Sequence, residues 1–156
     1  MWDKTKTYVY SIIIALVVGG LAGLLTMNSM EVYSGLQKPA LSPPSILFPI
    51  VWTILYILMG ISAAMIFKSN DLDKNKALKT YAAQLIINFL WSLIFFNLEW
   101  YLFAFIWLLL LIIVVVTMIV QFYRINPLAA WLQIPYLIWL LFAAYLNYMV
   151  YALNAS

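Results

Sequence analysis

The chain has 156 residues, of which 67% are hydrophobic and only 8% charged, with a formal net charge of +3. Soluble domains carry roughly 25% charged residues, so these proportions exclude a water-soluble globular protein and indicate an integral membrane protein. The absence of His and Cys excludes histidine proton relays, imidazole metal sites, His-ligated haem, thiolate chemistry, disulfides and iron–sulfur clusters.

Inside a bilayer every backbone polar group needs an internal partner, so only helices or closed barrels span it. Short alternating segments of the barrel kind are absent. Continuous apolar runs of spanning length occur instead at 8–27, 45–67, 77–97, 101–123 and 128–153, which predicts an all-α bundle of five transmembrane helices forming one domain over 1–156. No internal repeat is visible, which weakens the inverted-repeat architecture of many secondary transporters.

The first run follows Lys4 and Lys6 in the manner of a secretory signal, but it is too long for a signal core and lacks a small-x-small cleavage site. Its Ala15, Gly19 and Gly23 recur every four residues and predict a packing face, within the bundle or between protomers, because small residues let helices approach closely. The loop over 28–44 is stiffened by Pro39 and long enough to fold over the bundle mouth as a lid. In the second run Ser42 suits an N-cap, Pro43 and Pro44 suit the first helical positions, and Pro49 comes late enough to kink the helix. Beyond it, Trp52, Tyr56, Gly60 and Ala64 share a stripe. The third run places Gln84, Asn88 and Ser92 on one stripe with Trp91 beside it, and the fifth does the same with Pro135, Trp139, Ala143, Asn147 and Tyr151. Pro135 should bend that helix and free the carbonyl of Trp131. Amides facing lipid would go unpaired, so the stripes should face the interior.

Charge gives orientation. Lys4, Lys6, Lys68, Lys74, Lys76, Lys79 and Arg124 lie at the amino terminus or in or just beside the second and fourth connections, with Lys38 alone opposite. The positive-inside rule then predicts a cytoplasmic amino terminus and an outside carboxyl terminus. The basic charges are dispersed beside membrane, which speaks against a nucleic-acid partner. All five carboxylates, Asp3, Glu31, Asp71, Asp73 and Glu99, fall in termini or connections. Ion-coupled pumps keep a working ionisable group within the membrane, so a coupled pump is disfavoured. Metal ligands are not apparent.

The membrane interior is instead furnished with neutral amides and aromatic rings. Interior Asn and Gln serve either as hydrogen-bond links between helices or as ligand contacts. Trp2, Trp100 and Tyr101 suit the interfacial belt. Trp52 and Trp139 differ: they lie about two and three turns from the starts of their runs and share a face with small residues, so the rings should border a cavity suited to a flat apolar ligand.

Lys38-Pro39, Pro43-Pro44, Pro49-Ile-Val-Trp52, Leu55-Tyr56, Met59-Gly60, Gln84-Leu85, Asn88, Trp91, Phe95-Phe96, Pro127-Leu-Ala-Ala, Pro135-Tyr136-Leu137, Trp139, Phe142 and Leu146-Asn147-Tyr148 together resemble the translocator protein family, also called tryptophan-rich sensory or peripheral-type benzodiazepine receptor proteins, in a bacterial form. The resemblance runs in order over essentially the whole chain. It implies a five-helix bundle, usually homodimeric, with a pocket for porphyrins and benzodiazepine-type ligands, and for sterols in animal members. Carried over by residue, that pocket would comprise Tyr33, Trp52, Tyr56, Asn88, Trp91, Trp139, Ala143 and Leu146. Two departures stand out. Leu41 replaces the tryptophan common before the proline pair, and no Lys or Arg follows Tyr148 to complete a carboxyl-terminal sterol motif. The reversed sterol pattern Lys79-Thr-Tyr81-Ala-Ala-Gln-Leu85 is present.

The resemblance implies a tetrapyrrole receptor or sensor that requires no cofactor, with porphyrin as ligand. An enzymatic alternative would make porphyrin the substrate of light-dependent oxidative breakdown, with Trp52 and Trp139 as redox-active neighbours. A further alternative is passive carriage of tetrapyrroles, lipids or sterols across the membrane.

Overall fold

Five helices long and apolar enough to cross a membrane make up almost all of the described chain, and the protein is all-α. The computed structural model describes residues 2–27, 35–38 and 47–154, with side chains from Thr5 onward in the first helix. Helix α1 is Trp2–Thr26, α2 is Leu47–Phe67, α3 is Lys74–Ser92, α4 is Tyr101–Ile125, and the fifth crossing is divided into α5, Pro127–Leu132, and α6, Ile134–Asn154. Tyr33, Pro39, Ser42, Pro43, Pro44 and most of the expected lid lie outside the described residues.

Three departures from the expected runs have local causes. The third crossing starts earlier, at Lys74, because the second connection is closed by polar groups: Asp73 N–H donates to Asp71 Oδ1 at 2.8 Å, and Lys74 Nζ donates to the Phe67 carbonyl at 3.0 Å. Its far end does not stay α-helical. Leu93–Asn97 winds as a π-helix in which the Leu98 N–H reaches back five residues to the Leu93 carbonyl at 3.0 Å; such widened turns recur at functional sites. The tight turn that follows places Glu99 at φ 58°, a left-handed conformation costly for a residue with a Cβ. Finally, the fifth crossing is interrupted at Gln133. Asn126 caps α5 by accepting from Leu128 N–H at 3.1 Å ahead of Pro127, and the Gln133 N–H turns back to the Ala130 carbonyl. Pro135 has no N–H to offer Trp131, and the Ala129 carbonyl, left by the ladder, accepts from Ser62 Oγ of α2 at 2.7 Å.

α1 packs chiefly on α2, α4 packs on α3 and α6, and the backbones of α2 and α6 hardly approach each other. The α1–α2 seam is close. A Cβ on Gly60 would lie 2.5 Å from the Ile12 Cα, and beside it Ser11 Oγ donates to the Gly60 carbonyl at 2.7 Å. Ala15 is fully buried in the same seam, so this part of the small-residue stripe packs within the protomer. At the far end of α1 Asn97 Nδ2 donates to the Leu25 carbonyl at 3.0 Å, and Gln37 exchanges two hydrogen bonds with Asn154 at the end of α6.

Candidate functional site

Where α2 and α6 diverge, a cavity of about 360 Å³ opens between α1, α2, the end of α3 and α6. Its origin can be read residue by residue. On α1 the missing side chains of Gly20 and Gly23 leave open space, since a Cβ on either would meet nothing within 4 Å. Gly19 acts differently, because a Cβ there would collide with the Tyr56 ring, and only glycine lets that ring lie against α1. On α6 Ala143 recesses the opposite wall, and the π-helix turns Phe95 and Phe96 toward the cavity from α3.

Tryptophans frame this space. Trp52 and Trp139 face each other edge to face, ring centroids 6.5 Å apart and planes at 89°. Trp52 also packs on Tyr56 at 5.6 Å, and Trp139 on Phe48 at 5.8 Å. Trp91 stacks on Phe95 at 5.4 Å and donates its indole N–H to Asn147 Oδ1 at 3.1 Å, while Asn147 Nδ2 donates to the Tyr101 carbonyl at 2.8 Å. That amide is therefore occupied at both ends. The Trp52 and Trp139 N–H groups, by contrast, donate to no other described residue. No charged side chain is among the described lining.

Six residues named from sequence, Trp52, Tyr56, Trp91, Trp139, Ala143 and Leu146, line this one cavity. Tyr33 lies outside the described residues. Asn88 is not on the wall: fully buried, it donates through Nδ2 to the Tyr136 hydroxyl at 2.8 Å, and that hydroxyl donates to Gln84 Oε1 at 2.7 Å. Tyr136 in turn meets the Trp52 ring at 6.2 Å, so the Gln84 and Asn88 amides of α3 stand one layer behind the cavity. Asn88 Oδ1, the Tyr81 hydroxyl and both polar atoms of Gln133 are buried without a hydrogen-bond partner among the described residues.

Sequence reasoning missed Tyr136 as the hub of that layer. Positions four apart on a helix rotate by about 40° per step, so a strict four-residue stripe drifts off its face: Asn147 and Ala143 are buried, Trp139 is half-buried and Pro135 is exposed. The mixed spacing of Tyr136, Leu140, Ala143, Asn147 and Val150, all buried, tracks the true inner face. The reversed sterol pattern also loses its surface, because Tyr81 is buried against Phe122 at 6.3 Å rather than turned to lipid.

Comparison with known proteins gives this arrangement a lineage. Residues 11–153 match the TspO/MBR family. The chain is 37% identical over 148 residues to the tryptophan-rich protein TspO of Archaeoglobus fulgidus, covering 94% of this chain and 96% of that one. It is 38% identical over 125 residues to the translocator protein of Homo sapiens, covering 78% and 74%, and 35% identical over 124 residues to a tryptophan-rich sensory protein of Cereibacter sphaeroides, covering 80% and 77%. The chain is a multi-pass membrane protein that belongs to the TspO/MBR family.

Proposed function

We propose that this protein is a receptor or sensor for flat, apolar, acceptor-bearing ligands of the porphyrin class, and that benzodiazepine-type compounds compete for the same cavity. The observation that carries this reading is the pair of perpendicular indoles, Trp52 and Trp139, whose N–H groups donate to no other described residue, in a largely apolar and uncharged space. An indole π-face stacks on a macrocycle, and two fixed donors orient a ligand without an ionisable group. The names of the relatives, tryptophan-rich sensory protein among them, agree with such a role. The orientation has the amino terminus in the cytoplasm of a cell whose surface membrane holds the protein, supported by the division of basic residues.

A second reading is favoured by the same pair. Indole is among the more easily oxidised side chains, and both rings border the space a pigment would fill, so light absorbed by bound porphyrin has an electron donor in contact, with dissolved dioxygen as the oxidant that the breakdown consumes. Titrating protoporphyrin into purified protein, then illuminating the complex and identifying the products, tests both. Saturable binding with pigment loss no faster than in empty detergent supports the receptor; accelerated, defined products support the enzyme; absence of saturable binding removes both.

A further inference from the structure

A second cleft, of about 290 Å³, lies between the end of α4 and the break that separates α5 from α6. α4 contributes Ile119, Val120, Tyr123 and Arg124, which fall on one helical face, and across from them stand Ala130, Trp131 and Ile134. The cleft runs up α4 from Ile119 to Arg124, about 7.5 Å at the helical rise. Its wall is apolar, with Arg124 supplying its aliphatic stem. Ala130, the smallest residue in the wall, is what keeps the hollow open.

The upper rim is different in character. Arg124 is exposed in the last turn of α4, at the edge of the spanning segment. Its guanidinium makes no hydrogen bond, ion pair or ring contact with any described residue. None of the described carboxylates, Asp71, Asp73 and Glu99, lines the cleft. Tyr123 and Trp131, 54% and 63% exposed, flank it in the manner of side chains that sit at headgroup level. Apolar slot below, a cation with no described partner above and amphipathic rings at the sides form the complement of an amphiphile with a negative head.

We infer that this cleft holds an anionic phospholipid, one acyl chain lying between α4 and the start of α6 and the phosphate accepting from the Arg124 guanidinium. Guanidinium presents paired donors that match phosphate oxygens, and basic clefts between membrane helices at the bilayer edge hold such headgroups. The inference is independent of what the tryptophan-framed cavity binds.

Native mass spectrometry of the purified full chain, released from detergent after equilibration with phosphatidylglycerol or with phosphatidylcholine of the same acyl chains, tests it. Wild type should retain one phosphatidylglycerol about fivefold more strongly than phosphatidylcholine, the preference of a single basic residue at the membrane edge. Arg124→Gln should erase the preference, and Arg124→Lys should keep part of it. Val120→Trp, which fills the slot from a half-exposed position, should weaken retention of both lipids. Equal retention of the two lipids by wild type, or an unaltered preference in Arg124→Gln, overturns the proposal. So does equally strong retention of glycerol phosphate, which would make the rim an anion site and the slot irrelevant. Arg124 is exposed and without a described partner, so its replacement leaves the fold intact.

Discussion

Replacing Gly60 by Ala should force α1 away from α2, and the size of the effect follows from the geometry of their contact. The new Cβ would lie 2.5 Å from the Cα and 2.9 Å from the N of Ile12, whereas ordinary contact begins at 3.4 Å. The helices must therefore part by about 0.9 Å, the difference between 3.4 and 2.5. The obstacle is backbone, so no rotamer change relieves it, and parting also stretches the Ser11 Oγ to Gly60 carbonyl bond. Overpacking of this kind costs about 1–3 kcal/mol, partly offset by about 0.5–1 kcal/mol from the better helix propensity of Ala. A net loss on the order of 1–2 kcal/mol is expected. Gly23→Ala supplies the control, since a Cβ there meets nothing within 4 Å, and it should be neutral or stabilised by up to about 1 kcal/mol. At roughly 2–4 °C per kcal/mol for a chain of this size, melting in one detergent, followed by size-exclusion of the remaining folded fraction, should separate the two variants by several degrees. If Gly60→Ala melts at or above Gly23→Ala, the close seam is not a feature of the protein in solution and the reasoning from it fails.

Three further outcomes are expected. Trp52→Phe and Trp139→Phe should retain most porphyrin affinity, measured by the shift of the pigment absorption band, yet lose any light-driven loss of that band, with Trp2→Phe changing neither; equal loss of both properties would mean that the rings only build the wall. Tyr136→Phe should lower stability by about 1 kcal/mol, because Gln84 Oε1 loses its donor and Asn88 Nδ2 its acceptor, an effect at the low end of the usual range since polar contacts in membrane helices average less than in water; a melting temperature equal to wild type would mean that the cluster carries no net stability. Cysteine placed at Ser156 should react with an impermeant thiol reagent outside intact cells and cysteine at Asn75 should not, the chain having no Cys of its own; the opposite pattern would invert the orientation.

Hydropathy alone made the five crossings legible, since a spanning helix must be apolar for most of its length whatever it packs against. What lay beyond a run-length reading was where helices stop being regular. The π-helix over Leu93–Asn97 and the break at Gln133 depend on tertiary partners: Asn97 is drawn to the Leu25 carbonyl, and the Ala129 carbonyl is taken by Ser62 from another helix. Trp52 and Trp139 were legible because a large ring beside small residues leaves space that only a cavity or a partner can fill. Asn88 was harder, for a buried amide follows the same pattern whether it touches a ligand or another side chain. Its Nδ2 donates to the Tyr136 hydroxyl, and that partner was hidden by the drift of a four-residue stripe.

The division of labour among polar groups constrains what the tryptophan-framed cavity can hold. Asn147 is used up between Trp91 and the Tyr101 carbonyl, Thr26 Oγ1 donates to the Ala22 carbonyl, and Thr53 Oγ1 donates to that of Pro49. The described wall therefore offers no cation, and its donors without a described partner are neutral, the indole N–H groups of Trp52 and Trp139 and the Ser92 hydroxyl. Burying an unpaired carboxylate costs far more than a few neutral donors return. A ligand that carries carboxylates must then keep them at the mouth, toward the end of α1 and the start of α2 where Thr26, Phe48 and Pro49 line the cavity, and lay its apolar ring against the indoles, which touch each other and leave no gap between them. Esterifying the carboxylates of a bound porphyrin should accordingly leave its affinity within a few-fold of the free acid at equal monomer concentration. A loss of a hundredfold would place a charge partner in the site and require a different account of the pocket.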